Sequence, residues 1–100
     1  MNPDSAHRFL IAYDVADTHR RTRLAKTLSA HGDRVQYSVF LIDAKPARIV
    51  RLKLALRSML DPGADSVLIC DLGQLSTGGL RRITYLGQQR PITGVGPIVL

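Results

Sequence analysis

FLIAYDVADTHRRTRLAKTL, residues 9–28, is the stretch on which the fold turns. Phe9 to Tyr13 form a near-continuous apolar run, which predicts a strand from Arg8 to Asp14, buried on both faces and central in its sheet. The run ends on a carboxylate, Asp14, and Arg20, Arg21 and Arg23 follow within nine residues. Leu24, Ala25 and Leu28 then keep helical spacing, Asp17 or Thr18 can cap the helix, and Gly32 supplies its stop. Positive charge in a first helical turn opposes the macrodipole, at ~0.3–1 kcal/mol per residue. Folding gives no reason for that placement, so the acid at the strand end and the arginines beyond it are candidates for a site.

The pattern continues on the C-terminal side. Val35, Tyr37, Val39 and Leu41 alternate with Gln36, Ser38, Phe40 and Ile42, the period of a strand. No Gly or Pro interrupts residues 33–42, so one kinked strand or two very short ones must serve there. Pro46 suits the first position of a second helix, whose apolar stripe is Ile49, Leu52, Leu56 and Met59 or Leu60. Arg48, Arg51 and Arg57 form its wet side, and Asp61-Pro62-Gly63 ends it. Ser66–Leu72 and Ile83–Leu86 are further short apolar runs, with a loop from Gly73 to Gly79 between them. This order predicts an α+β, ferredoxin-like βαββαβ sandwich with additional C-terminal strands and two helices on one face of an antiparallel sheet. Residues 1–100 form one domain in this reading, with residues 1–7 frayed and residues 87–100 an extension packing on a dimer partner. A small domain with an open apolar sheet face commonly covers it with a second copy.

Composition points the same way. The 100 residues carry 14 Lys+Arg against 8 Asp+Glu, a net charge of +6 and a sequence pI near 10.3, which favours polyanionic partners. Of the 14 basic residues 11 are Arg, whose planar fork suits phosphate. No apolar run approaches the ~20 residues of a spanning helix and the N-terminus lacks the signature of a signal peptide, so no membrane role is expected. A lone cysteine, Cys70, fits a reduced cytoplasmic setting.

The Tyr13-Asp14-Val15 end of the first strand, the RRTRLAKTL helix, the segment RVQYSVF at 34–40 and the distal ITYLG at 83–87 together resemble the CRISPR-associated Cas2 family, the small subunit of the spacer-acquisition machinery. The resemblance implies a ferredoxin-like homodimer holding a divalent metal, Mg²⁺ or Mn²⁺, between two copies of Asp14. It also implies a metal-dependent endonuclease acting on RNA or double-stranded DNA, and a partnership with Cas1 integrase dimers. Tyr13, Arg21, Arg23, Arg34, Ser38 and Phe40 match family positions tied to activity or to the active-site cleft. Many members carry an acid directly after SVF, where this chain has Leu41. A second reading is a non-catalytic bridge between integrase dimers that binds duplex DNA; a remote third is a toxin-like ribonuclease of similar fold.

The chemistry stands apart from the family. Mg²⁺ commonly takes one or two protein carboxylates and finds its other ligands among waters and substrate phosphates, so one Asp14 per protomer is enough. Arg20, Arg21 and Arg23 would hold the backbone beside it without reading sequence. Asp71, which ends another apolar run, is the rival ligand. His7, His19 and His31 lack metal-ligand spacing, and Ser38 has no His–acid pair to make it a nucleophile.

Overall fold

Eight residues of strand β1 (His7–Asp14) run through the middle of the sheet, as their two apolar faces require. The computed structural model describes residues 5–77 and 83–88. After β1 come α1 (Thr18–Ser29), β2 (Asp33–Gln36), β3 (Val39–Ala44), α2 (Pro46–Met59), β4 (Ser66–Gln74) and a short 3₁₀ turn (Leu75–Thr77). The strand order is β2-β3-β1-β4 and every pairing is antiparallel, the ferredoxin-like arrangement that the order of elements predicts. Central pairs include Leu10 with Leu41 on one side and with Cys70 on the other.

Alternation along the strands sorts the side chains into two layers. Phe9, Ile11, Tyr13, Phe40 and Ile42 face the helices and pack against Leu24 and Leu28 of α1 and Ile49, Leu52 and Leu56 of α2. These helical residues recur at the three- and four-residue spacing of a single stripe, so the stripe is what docks each helix. The opposite face carries no helix. There Leu41, Val35 and Tyr85 form a second apolar cluster, flanked by Leu10, Val39, Leu72 and Ile83. Leu68, on the same face of β4 as Cys70, is 58% exposed.

The structure settles one alternative of the sequence reading and departs from that reading elsewhere. Residues 33–44 make two strands joined by Tyr37 and Ser38, and β3 runs on to Ala44. No non-glycine residue there has positive φ, so the turn is neither of the usual hairpin types, and a bulge at Val35 takes up the twist. β4 does not stop at Leu72: Gly73, with φ 101°, supplies a bulge opposite Arg8 and the strand continues to Gln74, where a loop was expected. His7, expected to be frayed, already pairs with Ala44 and Gln74. Gly32 follows α1 as expected, but its φ is not positive; the reason for glycine is space, since a Cβ there would collide with the Leu41 carbonyl oxygen. Residues 83–88 contribute Tyr85, whose hydroxyl donates to the Val35 carbonyl at 3.2 Å, but no strand. Any strand beyond residue 88, and most of the 87–100 extension, lies outside the described residues. Among those described, no helix is long and apolar enough to cross a membrane.

Candidate active-site cleft at the end of the central strand

Tyr13 and Asp14 are consecutive, so they leave β1 on opposite faces. Tyr13 turns toward the helices and is buried; Asp14 falls on the side of Leu10 and Ala12 and is exposed. It lines a cavity of about 210 Å³ with Tyr13, Val15, Arg21, Tyr37 and Ser38. The Asp14 carboxylate has no hydrogen bond or ion pair among the described residues, although Arg21 lines the same cavity.

The walls are held in place by hydrogen bonds that start from the backbone. Arg21 donates to the carbonyls of Val15 (3.1 Å) and Ala16 (3.0 Å) and to Thr18 Oγ1 (3.3 Å), which fixes the turn behind Asp14 and keeps a guanidinium in the cleft. Across the cleft, the Ser38 carbonyl accepts from the Tyr13 N–H at 3.1 Å. Arg34 Nε donates to the Tyr37 carbonyl at 2.8 Å, and Nη2 reaches both that carbonyl and the Tyr13 hydroxyl. The same guanidinium lies over the rings of Tyr37 (5.1 Å) and Phe40 (5.5 Å). Phe40 stacks near Tyr13 with centroids 6.3 Å apart. Phe40 is wholly buried, so it acts on the cleft by supporting Tyr13 and Arg34 rather than by meeting a ligand.

Arg20 is placed differently from the sequence expectation. Its backbone N–H is capped by Asp17 at 2.8 Å, and its guanidinium forks onto Asp65 at 2.7 and 3.2 Å. It does not line the cleft. The charge that looked unmatched in sequence is matched by an acid beyond α2, and the pair ties α1 to the turn before β4. Arg23 is exposed and has no partner among the described residues. The structure thus brings Asp14, Tyr13, Arg21, Arg34 and Ser38 together, with Phe40 beneath them. Tyr37 joins them unforeseen; its signal was an aromatic residue, 65% exposed here, at a hairpin tip in a chain that is 5% aromatic.

Register sets Asp71, the other candidate acid, apart from this cleft. Asp71 pairs with Phe9, five residues and roughly 17 Å back along β1 from Asp14. Burial works to raise the Asp71 pKa, but bonds from His7 (2.9 Å) and the Gly73 N–H (2.8 Å) outweigh it and hold the carboxyl below its ordinary range. No three His, Cys, Asp or Glu residues converge as metal ligands among the described residues. Of the acids, Asp14 is the one that lines this cavity.

Comparison with known proteins gives the family. Residues 7–77 match the family model described as CRISPR associated protein Cas2. The chain belongs to the Cas2 family. A Rhodospirillum rubrum relative, named CRISPR-associated endoribonuclease Cas2 3, is 35% identical over 96 residues, covering 91% of this chain and 98% of that one. A Thermus thermophilus relative, named CRISPR-associated endonuclease Cas2 2, is 32% identical over 90 residues, covering 90% and 84%. The crystal structure of Streptococcus pyogenes Cas2 at pH 6.5 superposes with a TM-score of 0.67 and 34% identity, over 80% of this chain and all but 1% of that one, which covers 99%. Against the Cas2 pattern of an acid after SVF, Leu41 is buried with Val35 and Tyr85 on the helix-free face. The position serves packing in this member.

Proposed function

We propose that this Cas2 protein is a metal-dependent endonuclease of CRISPR spacer acquisition, working as a homodimer. The observation that carries the reading is Asp14: an exposed, unbonded carboxylate at the end of the central strand, in a cavity walled by Arg21, Tyr37 and Ser38. Asp14 projects on the helix-free face, so a two-fold partner covering that face would bring the two carboxylates toward each other. Their mutual repulsion would be relieved by a shared cation. Mg²⁺ or Mn²⁺ bound there supplies an activated water and neutralises charge at phosphorus. Arg21 and Arg23 would hold the scissile backbone beside Asp14. Arg34 stiffens the hairpin wall by clamping the Tyr37 carbonyl, and Tyr13 transmits that rigidity to the strand bearing the acid.

The names of the relatives make RNA the first substrate to test and double-stranded DNA the second. Partnership with Cas1 dimers in a cytoplasmic adaptation complex belongs to the same proposal. In the decisive assay, wild type cleaves with Mg²⁺ or Mn²⁺ and not with chelator, whereas Asp14→Asn loses cleavage by at least two orders of magnitude and still binds nucleic acid. Cleavage by Asp14→Asn at the wild-type rate would refute the assignment. A wild type that binds but does not cleave either substrate with either metal would leave the architectural role as the function.

A further inference from the structure

We infer that Tyr37 is the base-contacting residue of the cleft: its ring stacks on an unpaired nucleobase of the strand held beside Asp14, and so selects single-stranded over fully paired nucleic acid. The inference deepens the nucleic-acid reading above and rests on it, but not on a metal or on cleavage.

The chain has five Phe and Tyr side chains and no Trp, and all five lie within the described residues. Phe9, Tyr13, Phe40 and Tyr85 are each at most 6% exposed and build the two apolar clusters. Tyr37 belongs to neither cluster and is 65% exposed, so burial does not account for it. The backbone beneath its ring is nevertheless fixed. The Tyr37 carbonyl accepts from Arg34 Nε at 2.8 Å and from the Tyr13 hydroxyl at 3.4 Å. The Arg34 guanidinium also lies over the ring, 5.1 Å from its centroid, which steadies the plane while leaving most of the side chain to solvent. An aromatic surface set in advance loses little freedom when a ligand stacks on it.

Its place makes that surface useful. Ala12 pairs with Val39 and the Tyr13 N–H donates to the Ser38 carbonyl, so the turn at Tyr37 comes level with Asp14, and both residues line one cavity with Arg21. Neighbouring strands are about 5 Å apart, so a phosphate between Arg21 and Asp14 has an adjoining base within reach of the ring. Every base has a π face, so stacking is indifferent to sequence. It does require a bare face. In an intact duplex the neighbouring pairs cover both faces, and freeing one means unpairing and unstacking the nucleotide. The discrimination is therefore by strandedness.

The test is binding by the full-length protein in chelator, where metal-dependent cleavage is silent, to a single-stranded RNA of about 12 nucleotides and to the same strand annealed to its complement. Stacking on one base is worth roughly a tenfold change in affinity. Tyr37→Ala and Tyr37→Leu should each weaken single-strand binding about tenfold and duplex binding less than about twofold, and Tyr37→Phe, which keeps the ring, should match wild type. The ring meets no phosphate, so the salt dependence should stay unchanged in all three. An abasic nucleotide moved along the strand should find a position that costs wild type about tenfold and Tyr37→Ala nothing further, the non-additivity of two groups in contact. The Arg34 clamp ends on the Tyr37 carbonyl, which every variant retains, and the comparison of Leu with Phe holds even where Ala lowers the melting temperature. Wild-type single-strand affinity in Tyr37→Leu overturns the proposal. So does an equal loss on strand and duplex, which is what a ring packed against a second copy of the chain would give. A wild type that binds single strands through Tyr37 without cleaving them fails the nuclease reading and leaves this inference standing; one that cleaves duplex but binds no single strand does the reverse.

Discussion

At the scale of single residues, Asp65 gives an arginine that looked unmatched in sequence a structural partner. Its side-chain surface is wholly covered, and Arg20 forks onto it from 45 positions away in sequence. The bond from Arg20, followed by the one from the Asp61 N–H (2.9 Å), holds the Asp65 carboxyl below its ordinary pKa against the opposing effect of burial. A lowered folded-state pKa means that the stabilisation is present above about pH 4, the unfolded value, and is lost as pH falls through the folded one. Asp65→Asn should therefore melt below wild type at neutral pH, with the gap closing as pH drops below about 4. A gap that stays constant down to pH 2 would show that the carboxylate contributes nothing through its charge. Asp14 was legible in sequence because an acid ending an apolar strand is conspicuous. The task of Arg20 was not, because its partner lies beyond α2, and Tyr37 was missed because only the turn reveals that it faces the cleft.

Among the elements, those with a clear period were recovered and those shaped by a close approach were not. β1, α1 and α2 follow from apolar runs and stripes alone, and Pro46 marks the start of α2. The β2–β3 turn could not be placed because Tyr37-Ser38 carries none of the Gly, Pro, Asn or Asp that mark a tight turn most strongly, and a bulge at Val35 does part of the work. The far end of β4 was hidden because Gly73 looked like a loop when it is a strand bulge. Gly32 marks the α1–β2 connection in sequence, but its necessity comes from β3, whose Leu41 carbonyl and Ile42 side chain occupy the space of a Cβ. Gly32→Ala should force β3 and the end of α1 apart and cost ~1–3 kcal/mol, measured as a lowered urea midpoint. A loss under ~0.5 kcal/mol would mean that the connection yields without strain.

For the whole molecule, the two sheet faces have different fates. The helices seal one face, and the other keeps Leu68 exposed beside Leu10, Ala12 and Cys70. The proposed dimer accounts for that apolar surface and for Asp14 lying on the same side. Leu68→Lys changes a side chain that the monomer does not bury, so it should leave folding intact and halve the mass seen by light scattering at micromolar concentration. A variant that remains fully dimeric would put the interface elsewhere.

The central claim, that Asp14 from two chains holds one divalent cation on which cleavage depends, is tested most directly by the stoichiometry of Mn²⁺ binding in a calorimetric titration. The account predicts one ion for every two chains of wild type and none for Asp14→Asn. An Asp14→Asn protein that binds the ion with wild-type stoichiometry and affinity would contradict it.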